Sequence, residues 1–128
     1  MYKKWIIIGA LNGALAVSLG ALASHYLIDK IPAKSIANFK LASQYQLIHA
    51  ILMIVLSRLS LTYPRLKISL NCLFLGIVFF SGSIYLLSSK IFTGTIMAKI
   101  LGPMTPIGGI LIIFSWCWLA YVVTQKEK

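Results

Sequence analysis

The sequence predicts an all-α fold: a four-transmembrane-helix bundle forming a single membrane domain over residues 1–128. Three observations carry that expectation. The chain is 59% hydrophobic and only 11% charged, against about 25% charged in an ordinary soluble domain. Four apolar runs are long enough to cross a hydrocarbon core of about 30 Å at about 1.5 Å rise per residue. The cations gather at the ends of those runs, where they anchor helices and set orientation.

The first helix is expected from Trp5 to Leu27. Lys3-Lys4, the apolar run and Ala21-Leu22-Ala23 imitate a signal peptide, but the run to Ala23 exceeds the usual core of about 7–15 residues. It therefore reads as an uncleaved first span. Gly9, Gly13, Ala16 and Gly20 fall on one side and offer close helix contact where lipid gives no hydrophobic drive. Asn12 adjoins this seam and can hydrogen-bond across it. Packing within the monomer is preferred to homodimerisation, because three other helices also need contacts.

Ile28 to Lys34 form a polar turn in which Pro32 disfavours helix at Ile31 and Ser35 is the expected N-cap. The second helix then runs from Ile36 to Leu61. Asn38 and Lys40 lie at the headgroups, and Arg58 snorkels near the far end. Tyr63-Pro64 stop it. The third helix covers Leu66 to Ser88, with Gly76 and Phe80-Ser81-Gly82-Ser83 as a second close-contact surface. Residues 90–104 hold Thr93-Gly94 and Gly102-Pro103 and are expected to form an interfacial or re-entrant connection. Thr105-Pro106 resembles an N-cap with proline at the first helical position. The fourth helix follows from Ile107 to Val123, with Gly108 and Gly109 as packing positions and Trp118 and Tyr121 at the interface belt.

The polar stretch that organises these spans is Tyr45-Gln46-Leu47-Ile48-His49-Ala50. Asn38, Ala42, Tyr45 and His49 recur at i, i+4, i+7 and i+11, so they share a helix face, with Gln46 beside it. Polar groups at bilayer depth are costly against lipid, so this stripe is expected to face other helices. The candidate cluster comprises His25, Asn38, Tyr45, Gln46, His49, Ser81, Ser83, Tyr85 and Thr105. It reads first as a fold-specifying network. Its second reading is a pocket for a lipid headgroup or quinone oxygen near the start of the fourth helix.

Sharper chemistries fare less well. His25, His49, Cys72 and Cys117 sit at three different depths, so they do not form a zinc site, and bis-histidine haem ligation meets the same obstacle. A proton-coupled transporter usually needs an intramembrane carboxylate, whereas Asp29 and Glu127 lie outside the spans. Ser81 or Ser83 with His49 would make a dyad lacking an acid to orient the histidine. No metal, cofactor or catalytic group is therefore expected. The leading expectation is a non-catalytic structural, accessory or lipid-interacting membrane protein; the runner-up is a quinone- or haem-binding redox accessory or enzyme using His49, ahead of a small transporter.

The formal net charge is +10, yet no basic run or soluble surface remains for nucleic acid. Membrane lipids are the expected partners, with other membrane proteins or a second copy after them. Counting Lys and Arg by side gives seven (Lys3, Lys4, Arg58, Arg65, Lys67, Lys126, Lys128) against five (Lys30, Lys34, Lys40, Lys90, Lys99). That bias places both termini inside.

Tyr45-Gln46-x-x-His49-Ala50, Phe80-Ser81-Gly82-Ser83-x-Tyr85-Leu86 and Leu101-Gly102-x-x-Thr105-Pro106-Ile107-Gly108-Gly109 occur in this order. Together they resemble the YgdD-like family of small membrane proteins, grouped as domain of unknown function 423, over nearly the whole chain. The resemblance implies four helices, a bacterial cytoplasmic (inner) membrane location and no established activity. One departure occurs: Ala23 in Gly20-Ala21-Leu22-Ala23-Ser24-His25 replaces the family's second glycine.

Overall fold

The computed structural model describes residues 2–89 and 95–125. The elements are α1 (Tyr2–His25), α2 (Ala33–Leu59), α3 (Leu66–Ile77), a π-helical segment (Val78–Gly82), α4 (Ser83–Ser89) and α5 (Thr95–Thr124). The stretch Leu66–Ser89 runs as one rod, so the described residues contain four helices long and apolar enough to cross a membrane. Large side chains such as Ile7, Leu11, Val17, Ile51, Ile110 and Ile113 point outward. In water that surface would be a severe liability; against lipid it is the required solvent match.

Cross-helix pairs show that successive rods run antiparallel. Gly9 lies against Ala50 and Gly20 against Ser43, which aligns α1 with α2. Ser81 meets Ala42, and Ser69 meets Ser115, which aligns the third rod with its neighbours on either side. α2 is thus covered on one side by α1 and on the other by the third rod, and it is the most buried of the spans. The interior divides by chemistry. Trp5, Leu52, Met53, Leu56, Leu66, Leu70, Leu73, Ile112 and Val122 make an apolar core toward the end bearing the termini. The larger polar side chains, Asn12, Gln46 and Tyr85, meet in the other half.

Helix ends follow local chemistry. Pro32, at φ −57° and ψ 148°, is the N-cap of α2, and its carbonyl accepts from the N–H groups of Ser35 and Ile36 at 2.8 and 3.1 Å. Ser35, the expected cap, therefore falls inside the first turn. At the far end, the Ser60 N–H reaches the Leu56 carbonyl at 2.8 Å. The Ser60 hydroxyl donates to the Ser57 carbonyl at 2.8 Å.

The last helix departs most from expectation. It starts at Thr95 rather than Ile107, with Pro103 and Pro106 inside it. Residues 95–104 are therefore part of α5, not a separate interfacial or re-entrant piece, while residues 90–94 lie outside the described region. Each proline withholds one N–H from the helix ladder. Neighbouring helices and hydroxyl groups make such breaks tolerable in a membrane span. Both prolines are exposed, so neither ring intrudes on the α3 contact. Thr105 consequently caps nothing, and a free helix N-terminus beside Gln46, the basis of the anion-pocket reading, is not present.

The closest backbone approach lies between α5 and the π segment. A β-carbon at Gly108 would overlap the Phe80 backbone nitrogen and come within 2.8 Å of the Gly76 oxygen and the Phe79 carbonyl carbon. At Gly76 it would stand 2.7 Å from Ile112 Cγ1 and 3.1 Å from the Gly108 oxygen. Glycine at both positions lets the two backbones touch. The wider π turn also rephases the side chains after it.

Candidate functional site

The deepest polar assembly crosses three helices in one direction. The Tyr85 hydroxyl of α4 donates to Gln46 Oε1 at 2.7 Å. Gln46 Nε2 of α2 donates to Asn12 Oδ1 at 3.2 Å. Asn12 Nδ2 of α1 then donates to the Ile8 carbonyl at 3.0 Å. Gln46 is only 3% exposed, so its amide would be costly if left unpaired. The Tyr85 ring also rests on Phe39, centroids 4.7 Å apart, which holds the phenol in place.

Serine hydroxyls fasten the neighbouring crossings. Ser43 donates to the Ala16 carbonyl at 2.8 Å, and a β-carbon at Gly20 would meet Ser43 Oγ at 2.8 Å. From the π segment, Ser81 donates to the Ala42 carbonyl at 2.9 Å. Ser83 and Thr105 share a hydrogen bond of 2.6 Å between α4 and α5. Nearer the termini, Ser69 and Ser115 each donate to the other's carbonyl, at 3.1 and 3.0 Å.

His49 is 5% exposed and engaged at both ring nitrogens. Nδ1 lies 2.6 Å from the Tyr45 carbonyl, and Trp116 Nε1 lies 3.3 Å from Nε2. An indole N–H only donates, so Nε2 accepts and the ring proton sits on Nδ1. Haem ligation through Nε2 would first have to break the Trp116 bond. Ser81 and Ser83 spend their hydroxyls on Ala42 and Thr105 rather than on an imidazole. Among the described residues, no three His, Cys, Asp or Glu side chains converge as a metal site would require.

The structure thus brings Gln46 and Tyr85 together, links Ser83 to Thr105, sets Ser81 against the Ala42 carbonyl and sets His49 against Trp116. Three other candidate residues fall elsewhere. His25 ends α1 at the surface and Asn38 is exposed on the first part of α2. Tyr45 is 40% exposed, giving the cluster its carbonyl and a ring 5.0 Å from that of Phe80. Sequence reasoning left Asn12 out of the cluster although it recognised its reach across the seam. It also missed Ser43, Ser69, Ser115 and Trp116 as partners. Serines in apolar runs are visible in a sequence, but which carbonyl each meets depends on helix register.

Packing glycines sort similarly. Gly9 would place a β-carbon 2.7 Å from Ile54 Cγ1 and 3.0 Å from the Ala50 oxygen, whereas Gly13 and Gly109 have ordinary spacing of 3.7 Å or more. Gly82 has nothing within 4 Å. Ala23 is fully buried, so its methyl fits the α1 seam.

Residues 19–109 match the family model described as "Protein of unknown function (DUF423)". A UPF0382 membrane protein of Staphylococcus epidermidis is 41% identical over 128 residues, covering 97% of each chain. The UPF0382 membrane protein YwdK of Bacillus subtilis is 38% identical, covering 96% of this chain and 98% of its own. A Haemophilus influenzae UPF0382 membrane protein is 31% identical over 94% of both. No solved structure matches the chain. With four spans, a matched segment holding Gln46, His49 and Thr105, and relatives alike along nearly their full length, the chain belongs to the DUF423 family of small membrane proteins.

Proposed function

We propose that this membrane protein is a non-catalytic structural or accessory component of the bacterial cytoplasmic membrane, interacting with lipid and carrying both termini on the cytoplasmic side. One observation carries the reading. Among the described residues, every buried side-chain nitrogen or oxygen has a hydrogen-bond partner within the chain. A catalytic or cofactor site usually keeps a donor or acceptor uncommitted for its substrate; here the polar groups are committed to one another. Gln46, Tyr85, Ser83 and Thr105 act in this reading as a helix-specifying network. Lipid follows from the apolar exterior, and orientation from the excess of cations on the terminal side.

The test is purification of the full chain in mild detergent, with mass spectrometry of co-purifying lipids and proteins and an absorbance scan. The expected outcome is retained lipid or a partner protein without a haem band. A Soret band, or stoichiometric quinone, lost on His49→Ala would overturn the proposal in favour of a redox accessory.

A further inference from the structure

An open apolar groove of about 520 Å³ runs along the outer junction of α1 and α2. Ala10, Ala14 and Val17 form one wall and Leu47, Ile51 and Ile54 the other. Its volume falls within the range of about 300–1,000 Å³ seen for small-ligand sites. The groove has a charged end. Leu47, Ile51, Ile54 and Arg58 recur at i, i+4, i+7 and i+11, so Arg58 continues the α2 wall about 6 Å beyond Ile54. On α1, Lys3 precedes Ala10, Ala14 and Val17 at i, i+7, i+11 and i+14, so it continues the opposite wall. The Arg58 guanidinium lies 5.5 Å from the Tyr2 ring centroid, bringing the end of α2 to the start of α1. Both cations are exposed, at helix ends where a bilayer surface would lie.

We propose that this groove binds an anionic phospholipid, one acyl chain between α1 and α2 and the headgroup phosphate against Arg58 and Lys3. Charge complementarity selects the occupant. A hydrocarbon groove ending at two cations suits a molecule with an apolar tail and an anionic head. A second copy of this basic chain would bring the same positive charge to the junction. The proposal deepens the lipid-interacting reading above by naming the lipid class. Its failure would leave the non-catalytic reading intact, which the absorbance scan and co-purification decide separately.

The test titrates full-length protein with phosphatidylglycerol or phosphatidylcholine of identical acyl chains and counts bound lipids by native mass spectrometry. Wild type is expected to prefer phosphatidylglycerol. Each of Arg58→Gln and Lys3→Gln should weaken that preference roughly fivefold, as expected for one cation near an anionic surface. Ala14→Phe fills the groove from its α1 wall and should weaken both lipids, since Ala14 lines the groove and is exposed. Far-UV circular dichroism confirms that each variant remains helical. Equal retention of the two lipids, or an unchanged preference in Arg58→Gln and Lys3→Gln, would overturn the proposal. A lipid-free dimer dissociated by Ala14→Phe would overturn it too, assigning the groove to a second copy.

Discussion

Gly108→Ala isolates the contact that joins α5 to the third rod. The added methyl would overlap the Phe80 nitrogen and lie 2.8 Å from the Gly76 oxygen and Phe79 carbon, all backbone atoms. A flexible side chain could swing aside, but two helix backbones must separate. Restoring ordinary 3.4 Å contact to the Phe80 nitrogen requires roughly an ångström of movement. Overpacking of this kind costs about 1–3 kcal/mol. The same movement strains the 2.6 Å Ser83–Thr105 bond and the paired Ser69–Ser115 bonds, each worth about 0.6 kcal/mol in a membrane setting. Alanine's helix propensity returns about 1 kcal/mol. The net expectation is a loss of about 2 kcal/mol. Gly109→Ala is the control on the same helix, because a β-carbon at Gly109 meets only the Phe80 ring at an ordinary 3.7 Å; there propensity dominates and stability should hold or rise by up to about 1 kcal/mol. Reversible unfolding in mixed micelles, followed by tryptophan fluorescence and circular dichroism, measures both. Wild-type stability in Gly108→Ala, or equal damage from the two substitutions, would refute the direct backbone contact.

Three further outcomes follow from the same geometry. Ser69→Ala and Ser115→Ala should each cost about 0.6 kcal/mol and add nearly linearly in the double variant, since each hydroxyl serves a separate carbonyl; the same unfolding assay reads this. His49→Ala removes the acceptor from Trp116 Nε1 and should cost about 1–3 kcal/mol with a shift in tryptophan emission; unchanged emission would place Trp116 elsewhere. Cysteines placed at Gln125 and Asp29 should be labelled by an impermeant reagent from opposite faces of the membrane, Gln125 from the cytoplasmic side; labelling from one face would contradict the three crossings between them.

Hydropathy made the four spans legible, because crossing a bilayer demands length and apolarity that no soluble helix needs. The start of α5 was not. Gly102-Pro103 and Thr105-Pro106 are strong breakers in water, but neighbouring helices hold the segment helical despite two missing N–H groups. The cluster was legible in part. Periodicity on α2 assumed one buried face, whereas α1 and the third rod cover two, so Ala42, Ser43, Gln46, His49 and Ala50 are all buried. With two covered sides, Asn38 and Tyr45 turn outward although their spacing matches that of His49. Gln46 had the right chemistry, but its partners Asn12 and Tyr85 lie 34 and 39 residues away and depend on register. The π segment left no readable mark in the apolar periodicity; it lies where Gly108 packs against the Phe79 and Phe80 backbone.

A double-mutant cycle with Gln46→Leu and Tyr85→Phe, read by equilibrium unfolding in mixed micelles, asks whether buried polar pairing holds the helices together. The 2.7 Å bond predicts that each single variant loses stability and that the pair is coupled by about 0.6–1.7 kcal/mol. Zero coupling, with Gln46→Leu as stable as wild type, would mean that the amide is kept for something other than the fold.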